Sequence, residues 1–475
     1  MPDALKRQPF ANELLDTLVH RLGADYVLTE AADILPYVQE QRRLYPGDAL
    51  AVVLPACTAD VAFIVEQCRE HGVPLVPQGG NTGLVGGGVP QQSLVVALGR
   101  MNRIRDIDPT NATITVEAGC ILQVVQEAAH DAGRLFPLSL AAEGSCQIGG
   151  NLATNAGGIN VLRYGNARDL VLGLEVVLAD GRVMNGLTAL RKDNTGYDLK
   201  QFFIGSEGTL GIITAAVLKL FPMPRVTATA LVGCDSPHQV LALYDQLRGQ
   251  LSDTLTAFEF LPRFAMDAVL SHIQGARAPF DQSYTSYALI ELTTPDAGLD
   301  LNTRLEAALA DAFENDVIKD AVIATSSAQS QALWRLREGV AEAQIAEGAS
   351  IKHDISVPVS RIADFIEAAS AACRSILPAC RICAFGHVGD GNLHFNVSQP
   401  EAMDTAAFMD LTPQFNRAVH DLVADMNGSI SAEHGIGLAK RTELRRYQDP
   451  VALAMMERIK AALDPEGLFN PGKLL

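Results

Sequence analysis

Two short stretches in the second half of the chain carry the side chains best suited to catalysis. One runs from Gly386 to His394 and includes His387, and the other is Glu433-His434-Gly435-Ile436-Gly437. A seven-residue interval would place His387 and His394 on one side of a helix, but Gly386, Gly389 and the Asp390-Gly391 pair make a helix untenable. A two-residue turn at Asp390-Gly391 is the natural alternative. It predicts a hairpin that pairs His387 with His394 and Phe385 with Asn396, with both imidazoles and the Asn396 amide on one face. Directly opposed residues have Cβ atoms about 4.5–5.5 Å apart, a workable separation for two ligands of one ion. The Glu433-His434 pair, flanked by glycines in apolar company, is costly to bury without a partner and is the expected source of a third ligand. Two histidines and a carboxylate leave positions open on a divalent ion, the pattern of a catalytic centre.

The elements that must hold these groups alternate in type. Residues 227–232, 258–261 and 286–292 read as strands, and 237–250, 301–314, 330–347 and 360–377 as helices, so an α+β domain with an antiparallel sheet is expected. Arg337 falls on a helix. Lys352 falls on a strand beside apolar Ile351, which makes it a candidate ligand for an anionic substrate.

The first half of the chain is built around glycine. Six of the ten residues from Gly79 to Gly88 are glycine, between one apolar strand pattern ending at Val76 and another at Ser93–Leu98. Bare backbone amides can converge on an anion there. No Lys-Ser or Lys-Thr follows, which excludes a nucleoside triphosphate loop. The loop opens into a strand and not a helix, which excludes a Rossmann site. Two further patches, residues 142–158 and 205–213, predict one long ligand lying across the domain.

In combination these motifs resemble the FAD-binding domain of the vanillyl-alcohol oxidase/p-cresol methylhydroxylase superfamily, from about residue 45 onward. They comprise Pro77, Gly79, Gly80, Asn81, Thr82, Gly83 and Leu84; Gly149, Gly150, Asn151, Thr154, Asn155, Gly157 and Gly158; Tyr164 and Gly165; and Glu207, Gly208, Gly211 and Ile213. The resemblance implies a two-subdomain FAD-binding domain whose first loop holds the pyrophosphate through backbone amides. Some relatives tether the flavin through a His or Cys in that loop; Gln78, Asn81 and Thr82 offer neither, so non-covalent FAD is expected. The closing segment is implied to return to the flavin, with Asn470 as a contact.

The histidine stretches resemble one branch of that superfamily, the FAD-dependent D-2-hydroxy-acid dehydrogenases, which includes D-lactate and D-2-hydroxyglutarate dehydrogenases. The resemblance implies that His387, His394 and Glu433 hold a divalent metal, zinc foremost with manganese or cobalt as alternatives, and that His434 is the base. It further implies that Arg337 binds the substrate carboxylate and that Lys352 marks a five-carbon dicarboxylate; Asn396, on the metal side by the hairpin count, is a further candidate substrate contact. D-2-hydroxyglutarate is therefore the expected substrate. Ala341 stands where such enzymes often carry Thr, which leaves D-lactate, D-malate and glycolate open. A metal-dependent hydrolase and a non-catalytic flavin subunit are the alternatives from other classes.

The net charge of -18 argues against nucleic acid and anionic membrane surfaces as partners. No apolar run approaches the ~18 residues of a membrane span and the start lacks a signal-peptide pattern, so a cytoplasmic protein without an integral membrane segment is expected. The eight cysteines are scattered in apolar company and read as reduced. With no iron–sulfur or haem motif, electrons are expected to leave to an external acceptor: an electron-transfer flavoprotein, a cytochrome or a quinone. Homodimerisation is an open expectation. The expected divisions are a helical segment at 1–45, an FAD-binding domain at 46–225, a substrate and metal domain at 226–430, and a returning segment at 431–475.

Overall fold

The strand patterns on either side of the glycine loop form a parallel pair, Leu75–Gln78 against Gln91–Ala97. Parallel neighbours need a crossover of roughly a dozen residues, and residues 79–90 provide it without a helix. The Gln78 side chain braces the crossover by donating to the carbonyl oxygens of Gly88 (2.9 Å) and Tyr37 (2.8 Å). Asn81 Nδ2 donates to Pro36 and Gln39, which ties the loop to helix Ala31–Val38.

This computed structural model describes residues 9–475; residues 1–8, on which the expectation about a signal peptide falls, lie outside that range. The chain divides into two units. The first comprises the residues up to Gly157, Gly165–Pro222 and His434–Leu475; the second comprises Gly158–Tyr164 and Met223–Glu433. Among the described residues no helix is long and apolar enough to cross a membrane, and all eight cysteines are free.

In the first unit the parallel strands, Asp48–Val53 and a short antiparallel edge, Val27–Leu28, make a four-stranded sheet. A five-stranded antiparallel sheet follows, in the order 104–108, 113–117, 212–219, 171–177, 183–186. Residues 171–177 are buried throughout, as a central strand covered on both faces must be. The C-terminal stretch joins this unit: Leu75 N–H donates to Leu468 O (2.8 Å), and Asn470 N–H donates to Leu75 O (2.7 Å).

The second unit holds a four-stranded antiparallel sheet, in the order 255–262, 286–294, 226–234, 320–323, and a three-stranded one, in the order 350–356, 392–398, 381–385. Their edge strands meet where Phe260 and Gly386 exchange two backbone hydrogen bonds, of 2.8 and 3.1 Å. The expected helix over 330–347 is two helices, Ser327–Glu338 and Val340–Ala346, meeting at Gly339.

The hairpin register differs from the sequence expectation. His394 pairs with Phe385 and Asn396 with Cys383, so the turn is longer than two residues. Strand pairing ends at Phe385; Val388–Asp390 form a 3-10 turn closed by Gly391 at φ 93°, with Gly386 bonded to Phe260. The slip is of two residues, which preserves alternation, so Asn396 still shares a face with His394.

Glycine at 80 is a packing requirement, because a Cβ there would stand 2.1 Å from the Ser145 carbonyl oxygen, whereas one at Gly83 would meet nothing within 4 Å. In urea titrations of the apoprotein, Gly80→Ala is expected to lose about 1–3 kcal/mol. Gly83→Ala should stay within about 0.5 kcal/mol of the parent.

Candidate functional site

In the first unit the glycine loop, helix Ile148–Ala153 and residues 206–213 line an open cleft. Of the expected cofactor residues, Pro77, Gly79 to Gly83, Gly149 to Asn151, Thr154, Glu207, Gly208, Gly211 and Ile213 are on its wall, and so is His434. Leu84 and Gly157 are not wall residues, and Gly158 and Tyr164 belong to the second unit. Asn155, Gly165 and Asn470 stand behind the wall. Asn155 Oδ1 accepts from the Arg168 N–H (2.9 Å), a Cβ on Gly165 would meet the Asp169 carboxylate, and Asn470 Nδ2 donates to the carbonyls of Gly87 (3.0 Å) and Glu207 (2.8 Å).

The lining of the cleft suits FAD in its chemistry. A Cβ at Gly83 or Gly150 would meet no atom within 4 Å, so bare backbone faces the space a ligand would fill. The buried acceptors Gln78 Oε1 and Gln147 Oε1, both on cleft residues, lack a hydrogen-bond partner in the protein. Buried acceptors of this kind require donors, and FAD carries hydroxyl, imide and amino donors.

His434 enters this unit on a short loop held by Glu207. The Glu207 carboxylate accepts the N–H groups of Ile436 and Gly437, both at 2.7 Å. The approach is close enough that Gly435, at φ 79°, could carry no side chain: a Cβ would stand 2.8 Å from Glu207 Oε1. Burial raises the Glu207 pKa and outweighs the two amides and Lys440, which act to lower it.

In the second unit the three-stranded sheet has one polar and one apolar face. Lys352 lies opposite Asn396, and Asp354 opposite His394, so all four side chains project to the same side. Ile351, His353 and Ile355 project to the other side with Leu393, Phe395 and Val397, where Phe365 packs edge-on against Phe395 at 5.5 Å. Asn396 Nδ2 donates to Gln344 Oε1 (2.7 Å), which fixes the amide, and Lys352 is exposed. Asp354 is almost wholly enclosed: Oδ1 accepts from Asn392 Nδ2 (3.1 Å) and Oδ2 from the Glu433 N–H (2.9 Å).

Ligand atoms of Asp354, His394 and Glu433 come within 4.8 Å of one another. His387 borders the group, with Nε2 3.7 Å from Glu433 Oε1 and its ring 5.7 Å from that of His394. Glu433 Oε1 also accepts the Gly158 N–H at 2.7 Å. Burial, the largest influence, raises the Glu433 pKa against the opposing pull of His387. Carboxylate and imidazole donors in this number suit zinc, manganese or cobalt, so the residues fit a divalent ion.

Behind His387 lies a buried ion-pair chain. Glu259 Oε1 accepts from His387 Nδ1 (2.7 Å) and Oε2 from Arg337 Nε (2.6 Å). Burial alone would push the Glu259 carboxyl up, but His387 and Arg337 together outweigh it and hold it at about 2. Burial would push His387 down, but Glu259 carries it up to about 9. A metal binds neutral imidazole and so displaces the Nε2 proton.

Asp354 and Glu259 escaped the sequence reading, although each left a signal. Asp354 is two residues beyond Lys352 on an alternating strand, hence on the same face. Glu259 is a single acid inside Ala257-Phe258-Glu259-Phe260-Leu261, and an acid in a buried strand needs a partner.

With this geometry in hand, the chain can be set beside known proteins. Residues 49–186 match the FAD binding domain family, and residues 223–474 match the family described as FAD linked oxidases, C-terminal domain. The D-2-hydroxyglutarate dehydrogenase, mitochondrial, of Bos taurus is 39% identical over 474 residues, covering 99% of this chain and 85% of that protein. The mitochondrial enzyme of the same name from Arabidopsis thaliana is 41% identical, covering 91% of this chain and 76% of the relative. D-2-hydroxyglutarate dehydrogenase of Xanthomonas citri pv. viticola is 40% identical, covering 94% and 93% respectively. Among solved structures, p-cresol methylhydroxylase with substrate bound superposes with a TM-score of 0.77 at 18% identity, over 98% of this chain and 97% of the other. That likeness establishes the fold, of the vanillyl-alcohol oxidase type with antiparallel sheets. The chain belongs to the FAD-linked oxidase family and carries both its FAD binding domain and its C-terminal domain.

Proposed function

We propose that this protein oxidises a D-2-hydroxy acid, foremost D-2-hydroxyglutarate, to the 2-oxo acid with non-covalently held FAD. The observation that carries the reading is the strand register that sets Lys352 beside Asn396 and Asp354 beside His394 on one face. Same-face neighbours along a strand are about 7 Å apart, so a cation stands roughly one five-carbon diacid away from a metal-binding group. The enzymes from cattle, thale cress and Xanthomonas are all named for this substrate.

Each residue then has a task. Arg337 turns Nε to Glu259, which leaves its terminal nitrogens for the substrate carboxylate, a bidentate hold. Lys352 receives the second carboxylate. Asn396, locked by Gln344, offers its oxygen to a donor on the substrate. His434 accepts the proton of the C2 hydroxyl. FAD, when bound, supplies the hydride acceptor, and a divalent ion held by His387, His394 and Glu433, joined by Asp354, lowers the hydroxyl pKa. Electrons then pass to an external carrier protein or quinone. The mitochondrial naming of two relatives supports action in the mitochondrion, or in the cytoplasm of a cell that has none.

The purified protein is expected to be yellow, and acid precipitation should release the colour into the supernatant; colour that stays with the pellet would mean a covalent flavin. His434→Ala should retain FAD and metal but slow anaerobic flavin bleaching by D-2-hydroxyglutarate at least ~10²-fold, and near-normal bleaching would reassign the base. Lys352→Ala should raise KM for D-2-hydroxyglutarate far more than for D-lactate. Equal losses on both acids would remove Lys352 from substrate selection.

A further inference from the structure

We infer that Glu259 is a positioning residue that fixes the His387 ring for metal binding and, through its other oxygen, sets the orientation of Arg337. The inference rests on the metal-dependent reading proposed above and deepens it. An ionised carboxylate only accepts hydrogen bonds, so the 2.7 Å contact from Glu259 Oε1 requires Nδ1 of His387 to carry the proton. In the neutral ring Nε2 is then the lone-pair nitrogen, and Nε2 is the atom that faces Glu433. Metal-binding histidines characteristically donate their other N–H to a carboxylate or carbonyl, which fixes tautomer and ring plane.

Backbone geometry sets this arrangement and leaves little to side-chain freedom. The two hydrogen bonds between Phe260 and Gly386 lock the edges of the two sheets, and Glu259 and His387 are the chain neighbours of those residues. Arg337 closes a ring of contacts. Its guanidinium lies 5.0 Å from the Phe385 ring, Phe385 lies 5.1 Å from His394, and His394 lies 5.7 Å from His387. The Glu259 side chain is 1% exposed. A buried ion pair is weak evidence for stability, since apolar residues of equal volume commonly do as well, and a role in aiming two functional side chains accounts for its presence. A purely structural carboxylate would leave metal affinity unchanged.

The test uses FAD-loaded, metal-stripped protein titrated with Zn²⁺ and, separately, Mn²⁺ against a chromophoric chelator. Glu259→Gln turns an amide N–H toward Nδ1 and favours the opposite tautomer. It should bind metal about 10–100-fold more weakly while keeping its flavin absorbance, and Glu259→Asp should fall between it and the parent. Affinity of Glu259→Gln within twofold of the parent would overturn the inference alone. A parent protein that takes up neither metal would bring down the metal-dependent reading together with it. Should both variants fail to fold, ¹⁵N-histidine spectra of the zinc-loaded parent, assigned against His387→Gln, still decide the matter. They should show Nδ1 protonated and Nε2 metal-bound at His387, and the reverse would refute the inference.

Discussion

A carboxylate taken out of water must exchange its hydration for donors fixed in the protein, and three of the buried acids impose that requirement at the candidate sites. Glu207 takes two backbone amides of the His434 loop, Asp354 takes the Glu433 amide and the Asn392 side chain, and Glu259 takes a histidine and an arginine. In each case at least one donor belongs to a residue with a place in the proposed chemistry or lies within three residues of one. The cost of burying charge is thus offset by contacts that also hold those segments in place.

The two units divide the labour. The first supplies a cleft of bare amides and orphaned acceptors suited to a long, donor-rich cofactor. The second supplies a polar sheet face where a cation, an amide, an imidazole and a carboxylate are spaced by strand geometry. The chain passes from second unit to first at the Glu433-His434 peptide bond, so the acid assigned to the metal and the residue assigned as base are held one residue apart.

Much of this was legible in the residues. The glycine crossover, the absence of a helix after it, and the strand and helix periodicities of residues 226–377 each follow from local chemistry. What failed was what depends on partners distant in sequence. The hairpin register missed by two residues because Gly386 is captured by Phe260, a strand more than a hundred residues earlier. Asp354 and Glu259 were overlooked because a lone acid in a strand declares that it has a partner without naming it. Arg337, read only as a substrate ligand, proves also to be one arm of a buried ion pair.

The discontinuity of the first unit bears on how the molecule is made. Its parallel sheet is extended by Phe469 beside Leu75, and its glycine loop is braced by Asn470, residues that leave the ribosome some 395 positions after the strand they complete (469 less 75 is 394). The second unit, apart from residues 158–164, is one uninterrupted stretch and can assemble while synthesis continues. The cradle, by contrast, waits through most of translation with its strand edge uncovered. A nascent chain stalled or clipped before residue 464 would therefore carry a complete second unit and a first unit whose parallel-sheet edge is open to aggregation.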